Sequence, residues 1–292
     1  MTFDLSAVGT SGEVTPIEWT PRDAIVYALG VGAGQSDPLK ELQFTTENSQ
    51  GVELQVLPAF GIAQAMSRSK RPDVGQIDRS KVLHGEQSFE VFSPLPTTGA
   101  ATLQATVAGI YDQGSSAHIV TDILLADAVT GVPLLTTSAT VVVRGAGGFG
   151  GVKRESSSWE RPSRDADVVV STTTRTDQAL LYRLSGDRNP LHSDPTFAQR
   201  AGFDRPILHG LCTFGITGRN LINELCGGDA TLARGMGGRF SKPVRPGETL
   251  TLRVWSEATG HAAFVVENDE GQVVLDRGTF SFVDAGDVRS VL

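Results

Sequence analysis

The chain has 292 residues, 39% hydrophobic and 20% charged, with a formal net charge of -8. That length suits two domains of ordinary size, and the acidic balance excludes nucleic acid or an anionic membrane surface as a general partner. Its two cysteines, Cys212 and Cys226, have no pairing framework and no second ligand pair, which fits a reducing compartment and leaves no metal site to expect.

In chain order, the opening MTFDLSAVGTSGE has neither the basic nor the apolar region of a secretory leader. No apolar run approaches the ~18 residues that would span a bilayer, and the final RSVL is not a peroxisomal address. The expectation is a cytoplasmic protein with no membrane partner. Residues 101–110, 118–126 and 134–143 alternate as long strands. The stretch RGAGGFGGVKRESSSWERPSR, residues 144–164, is rich in Gly, Ser and charge. It reads as a linker with little to pack a core, dividing a domain at 1–143 from one at 165–292. The second part predicts a short helix over 177–184 with Thr176 as N-cap. A longer buried helix follows over 209–225, and then strands over 249–255, 261–267 and 272–283 with a turn at Glu270-Gly271.

The two parts echo each other in order. AIVYALG at 24–30 matches ALLYRLS at 179–185, and LPAFGI at 57–62 matches LCTFGI at 211–216. FSPL at 92–95, with Gly99 and Leu103, matches SKPV at 241–244, with Gly247 and Leu250. Three matches in the same order point to duplication of one domain. One buried helix followed by long antiparallel strands implies a curved sheet wrapped around a helix. Two copies make an α+β double hot dog.

Chemistry concentrates in YRLSGDRNPLHSDPTFAQRAGFDRPILHG, residues 182–210. Ser185-Gly186-Asp187 ends a short helix, Asn189-Pro190 forces extended backbone, and Ser193-Asp194-Pro195 opens a new helix. Asp187 and His192 therefore share an irregular segment between helices, where a turned backbone brings a carboxylate and an imidazole to one point. Laid on the first copy, Asp187 falls on Gly32 and His192 on Asp37, so only the second copy retains the pair. His118 and His261 lie on strands and read as structural.

The order S-G-D-x-N-P-L-H, then D-P-x-F-A, then P-I-x-H-G, resembles the signature of the MaoC-like, or hydratase 2, family. Asp187, Asn189, Pro190, His192 and Gly210 stand at the family's spacing. Tyr27 to Ala33, the Leu83-His84-Gly85-Glu86-Gln87 run and the glycines around Phe149 extend the resemblance to the two-domain hydratase 2 unit of the peroxisomal multifunctional β-oxidation enzyme. The resemblance implies an (R)-specific enoyl-CoA hydratase in which Asp187 and His192 activate water and Asn189 orients the pair. Gly210 would donate its N–H to the enolate oxygen. His209 reads as a neighbour, not a second base. Glu47 would support activity, and the first copy would accommodate the acyl chain, whether fatty or steroid-like. Coenzyme A would arrive as part of the substrate, with no separate cofactor, meeting His84, Gly85, Arg239, Phe240 and Lys242. Gln113, after Asp112, stands where the multifunctional enzyme has a basic residue, so that cationic contact is missing or supplied elsewhere. The alternatives are a hot-dog acyl-CoA thioesterase and a non-catalytic acyl-CoA-binding subunit. Fused hot dogs pair within one chain, and further pairing as a homodimer is compatible with this plan.

Overall fold

The computed structural model describes residues 1–155 and 158–284. A two-stranded ribbon joins β1 (Thr2–Phe3) to β3 (Gly75–Gln76). The other ten strands form one antiparallel sheet. They are β2 (Thr15–Trp19), β4 (Val82–Val91), β5 (Gly99–Asp112), β6 (Ser116–Asp127), β7 (Pro133–Arg144), β8 (Val168–Thr173), β9 (Ala233–Phe240), β10 (Thr249–Ala258), β11 (His261–Glu267) and β12 (Val273–Phe282). Their spatial order is β2-β5-β6-β7-β4-β9-β12-β11-β10-β8. Outward from the β4–β9 seam, strands β4, β7, β6, β5 and β2 match β9, β12, β11, β10 and β8 in chain order. The sheet is thus two copies of one unit joined edge to edge, as the sequence echo predicts. Each copy covers the bare edge that the other would expose.

Helices repeat the same plan. In the first copy α1 (Pro21–Gly30) is followed by α2 (Leu42–Thr45) and the central α3 (Ala59–Arg68). In the second, α4 (Gln178–Tyr182) and α5 (Pro195–Arg200) precede the central α6 (Gly210–Leu225). Helix α1 starts well because Pro21 needs no N–H partner there, and the Asp23 carboxylate accepts the Thr20 backbone N–H at 2.8 Å. Helix α3 packs on β6 and β7, α6 on β9 and β12, and the two central helices touch. Glycines permit this closeness. A Cβ on Gly61 would sit 3.0 Å from Leu95, and one on Gly215 would sit 2.5 Å from the Tyr27 hydroxyl, where α1 lies against α6. One core runs through both copies, from Trp19 and Phe60 to Phe214, Phe264 and Phe280.

Charged groups tie the copies together as well. Arg219 of α6 donates to both Glu41 carboxylate oxygens at 2.7 and 2.8 Å and to the Val31 carbonyl at 3.0 Å. Glu41 also accepts from Asn223 and from the Gly34 N–H.

Two local expectations are revised. Asp177, not Thr176, occupies the cap position of α4, and its carboxylate is held by Arg175 at 2.8 Å and makes no cap bond. The glycine-rich part of 144–164 does pack. Asp112 accepts the N–H groups of Gly148 and Gly150 at 2.8 and 2.9 Å, both glycines having positive φ. Phe149 packs at a tilt 4.8 Å from Phe3 beside buried Ala146, forming a second small core. Both cysteines are buried and free. Among the described residues no helix is long and apolar enough to cross a membrane.

Candidate active site

The segment that carries Asp187 and His192 is shaped by a turn that only glycine fits. After α4, a short 3-10 turn over Arg183–Ser185 ends at Gly186, whose φ is 128°. A Cβ there would lie 2.6 Å from the Ser67 hydroxyl at the end of α3. The first copy thus walls the loop of the second. Beyond it, the Asp187 carboxylate accepts the Asn189 N–H at 3.1 Å, and the Asn189 side chain accepts the Leu191 N–H at 3.1 Å. Asn189 itself is exposed and caps the 3-10 turn Pro190–His192. It shapes the loop and meets the cluster through its backbone N–H on Asp187, not through its side chain. Asp194 then caps α5 through the N–H groups of Thr196 and Phe197.

Asp187, His192 and His209 converge, with their ligand-type atoms within 4.8 Å of one another. The imidazoles of His192 and His209 stack at 3.8 Å with 28° between planes. A carbonyl oxygen only accepts, so these contacts fix the tautomers of neutral rings. Nδ1 of His192 donates to the Ile207 carbonyl at 2.8 Å, leaving its Nε2 as the free base. Nε2 of His209 donates to the Asp187 backbone carbonyl at 3.2 Å, leaving Nδ1 as acceptor. That Nδ1 is buried and has no partner among the described residues.

Burial keeps these rings neutral. It lowers the His192 pKa below 6.5, against the opposing pull of the Ile207 bond and the Asp187 charge. It holds His209 at about 3, with His192 adding to the drop and Asp187 opposing it. His84, on β4 of the first copy, is pushed to about 4 by burial and then by the Arg71 charge. Asp187 opposes that shift, which places His84 in the field of the cluster.

His209 is the residue before α6, and Gly210 is the first within it. Among the described residues the Gly210 N–H has no backbone acceptor, as expected for a first helical turn. A Cβ on Gly210 would lie 3.3 Å from the Phe240 ring, and that ring meets His84 edge-on at 4.9 Å. Phe240 and His84 thus form a wall beside the free amide, at the positive end of a 16-residue helix.

Other sequence candidates fall elsewhere. Gly85 lies at a bulge in β4 where a Cβ would meet Val142 at 2.7 Å, so packing alone demands glycine there. The Arg239 guanidinium is held by both Asp276 oxygens at 2.7 and 2.6 Å, so the expected free cation is already neutralised. Lys242 is exposed, with no ion-pair partner among the described residues. Gln113 donates to the Arg154 carbonyl at 3.1 Å and is occupied by the connecting segment. Glu47 is exposed and accepts from the side chain of the adjacent Asn48 at 3.2 Å, so it is not brought to the cluster. His209, expected as a neighbour of the pair, does lie against His192. Arg71 stands in a polar loop with nothing in the sequence to mark it, its guanidinium donating to the Met66 carbonyl at 3.2 Å.

A model of the MaoC like domain matches residues 158–275, and one of the MFE-2 hydratase 2 N-terminal domain matches residues 17–145. The chain is 44% identical to 3-hydroxyacyl-thioester dehydratase Y of Mycobacterium tuberculosis, over 97% of this chain and 99% of that protein. It is 41% identical to the enoyl-CoA hydratase ChsH3 of the same organism, over 95% and 98% respectively. Among solved structures, a MaoC-like dehydratase from Phytophthora capsici superposes with a TM-score of 0.87 at 29% identity, covering 97% of this chain and 99% of that one.

Proposed function

We propose that this chain, which belongs to the MaoC-like, hydratase 2 family, is an (R)-specific 2-enoyl-CoA hydratase. It adds water reversibly to a trans-2-enoyl thioester and yields the (3R)-3-hydroxyacyl thioester. The observation that carries this reading is the meeting of Asp187 and His192 within 4.8 Å, close to the free N–H of Gly210 at a helix N-terminus.

The steps follow from that geometry. A water molecule sits between the Asp187 carboxylate and Nε2 of His192. Nε2 accepts a proton from it as the oxygen bonds to C3. Electrons of the alkene move toward the thioester oxygen, which gains negative charge. The Gly210 N–H and the positive end of α6 stabilise that charge, a contribution of about 3 kcal/mol in the transition state. The Asp187–His192 pair then returns a proton to C2 from the same face, giving syn addition. Neutral His192 suits this role, since its depressed pKa leaves Nε2 unprotonated at neutral pH. No separate cofactor enters; coenzyme A comes with the substrate. Phe240, His84 and Lys242 would line its path, and the first copy, residues 1–143, would accommodate the acyl chain.

The test uses crotonyl-CoA, following loss of the conjugated enoyl absorbance and any release of free thiol. Asp187→Asn and His192→Ala are expected to fold and to lose turnover by about 10²-fold to 10⁴-fold. Near-normal rates in either variant, or thiol released in place of the hydroxyacyl product, would overturn the assignment.

A further inference from the structure

We infer that His209 is a positioning residue that registers all three catalytic elements against one another. This rests on the hydratase reading above.

Three contacts converge on one side chain. Its Nε2–H holds the backbone carbonyl of Asp187 at 3.2 Å, on the turn that aims that carboxylate. Its ring lies flat against His192 at 3.8 Å, limiting rotation of the base about its Ile207 anchor. Its own backbone is the N-cap of α6 and leads straight into the Gly210 amide. Carboxylate, base and amide come from two separate segments; the His192–Ile207 bond joins them once, and His209 joins them again at the carboxylate turn and the base together. A shift of about 1 Å among such groups costs on the order of 10²-fold in rate.

The ring is also fixed from behind. Tyr182 packs at 4.9 Å on His209, Tyr27 meets Tyr182 at 6.1 Å, and Phe60 meets Tyr27 at 5.9 Å. This run of rings passes from the central helix of the first copy to the base of the second. The non-catalytic copy thereby backs the site mechanically.

Stability alone does not explain an imidazole here. Its Nδ1 is buried without a partner, and an unsatisfied buried acceptor costs about 1–3 kcal/mol. A phenylalanine would fill the same slot with no such penalty. What the imidazole adds is the N–H directed at Asp187.

Two variants separate these contributions. His209→Phe keeps a flat ring but removes the donor. His209→Gln carries an amide N–H that reaches the same carbonyl, without the ring. With crotonyl-CoA, His209→Phe is expected to lower kcat by about 10-fold to 100-fold while KM stays within about threefold. His209→Gln should recover part of that loss. Ring ¹⁵N NMR of His192 should still show its Nδ1–H tautomer in both, because the Ile207 bond is independent. Wild-type kcat in His209→Phe would overturn the inference. So would equal losses in both variants with KM rising and melting temperature falling in parallel, which is the pattern of a merely structural residue. Asp187→Asn assayed alongside distinguishes the failures. If it keeps the wild-type rate, the hydratase reading fails; if it is inactive while His209→Phe is normal, only the role of His209 fails.

Discussion

Mild acid is expected to weaken this fold before the ordinary carboxylates begin to titrate. His209 is 1% exposed, and burial holds its pKa at about 3 against 6.5 for a free imidazole. His84 is held at about 4. As the pH falls below 6.5, both rings take up a proton in the unfolded chain and remain neutral in the folded one. The unfolded state therefore binds more protons, so stability is fully present above that point and falls toward the folded pKa values. The slope for each histidine is ~0.7 kcal/mol per pH unit at pH 6.5 and approaches ~1.4 by about pH 5. Between pH 6.5 and about pH 5, His84 and His209 together remove about 3 kcal/mol, a substantial part of the 5–15 kcal/mol typical of a folded domain. His192, shifted in the same direction, steepens the slope. Urea denaturation at a series of pH values measures this directly, because the slope of stability against pH counts the protons. His209→Phe should reduce that count by about one. Stability that stays level or rises on acidification from pH 6.5 to about pH 5 would refute the buried neutral state of these rings.

Two further outcomes follow from the charges. Arg219→Ala removes the cation from Glu41, whose side chain is only 15% exposed. An uncompensated charge of that kind costs about 3 kcal/mol or more, and a thermal melt within error of wild type would contradict the tie between copies. Lys242→Ala should raise KM for enoyl-CoA at low salt, with the effect shrinking at high salt. Arg239→Ala should leave KM nearly unchanged, since Asp276 already holds that guanidinium. The reverse ranking of the two variants would move the coenzyme path away from Lys242.

Much of this architecture was legible because it was written twice. The strands announce themselves by alternation, and the paired echoes around Tyr27 and Tyr182 gave the duplication that the mirrored strand order displays. The catalytic loop was legible for a different reason. Gly186, Asn189, Pro190 and Asp194 each impose a local turn or cap, so the backbone path of the loop is encoded within a few residues. What escaped depends on contacts distant in the chain. Nothing near Arg239 indicates that Asp276 will hold it, because β9 and β12 meet only in the sheet. The packing of Phe149 depends on Phe3 and Asp112, which lie far earlier. The bond from His209 to the Asp187 carbonyl likewise spans 22 residues.

The duplication also gives the first copy a structural part in the site of the second. In the second copy the segment after α4 carries Asp187 and His192. In the first, the segment after α1 carries Gly32 and Asp37 at the matching positions and goes on to Glu41, which sits at φ 56°. There Glu41 grips Arg219 and Asn223 of α6, the helix whose first residue offers the Gly210 amide. The corresponding loop thus fixes the body of α6 in one copy and faces its start in the other. Ser67 packed against Gly186 and the ring contacts through Tyr27 add two more supports from the same side. A single hot dog would need a partner subunit to supply such a brace. Here the brace is covalently attached: the copy with Gly32 and Asp37 where the other has Asp187 and His192 holds the helix that begins at Gly210.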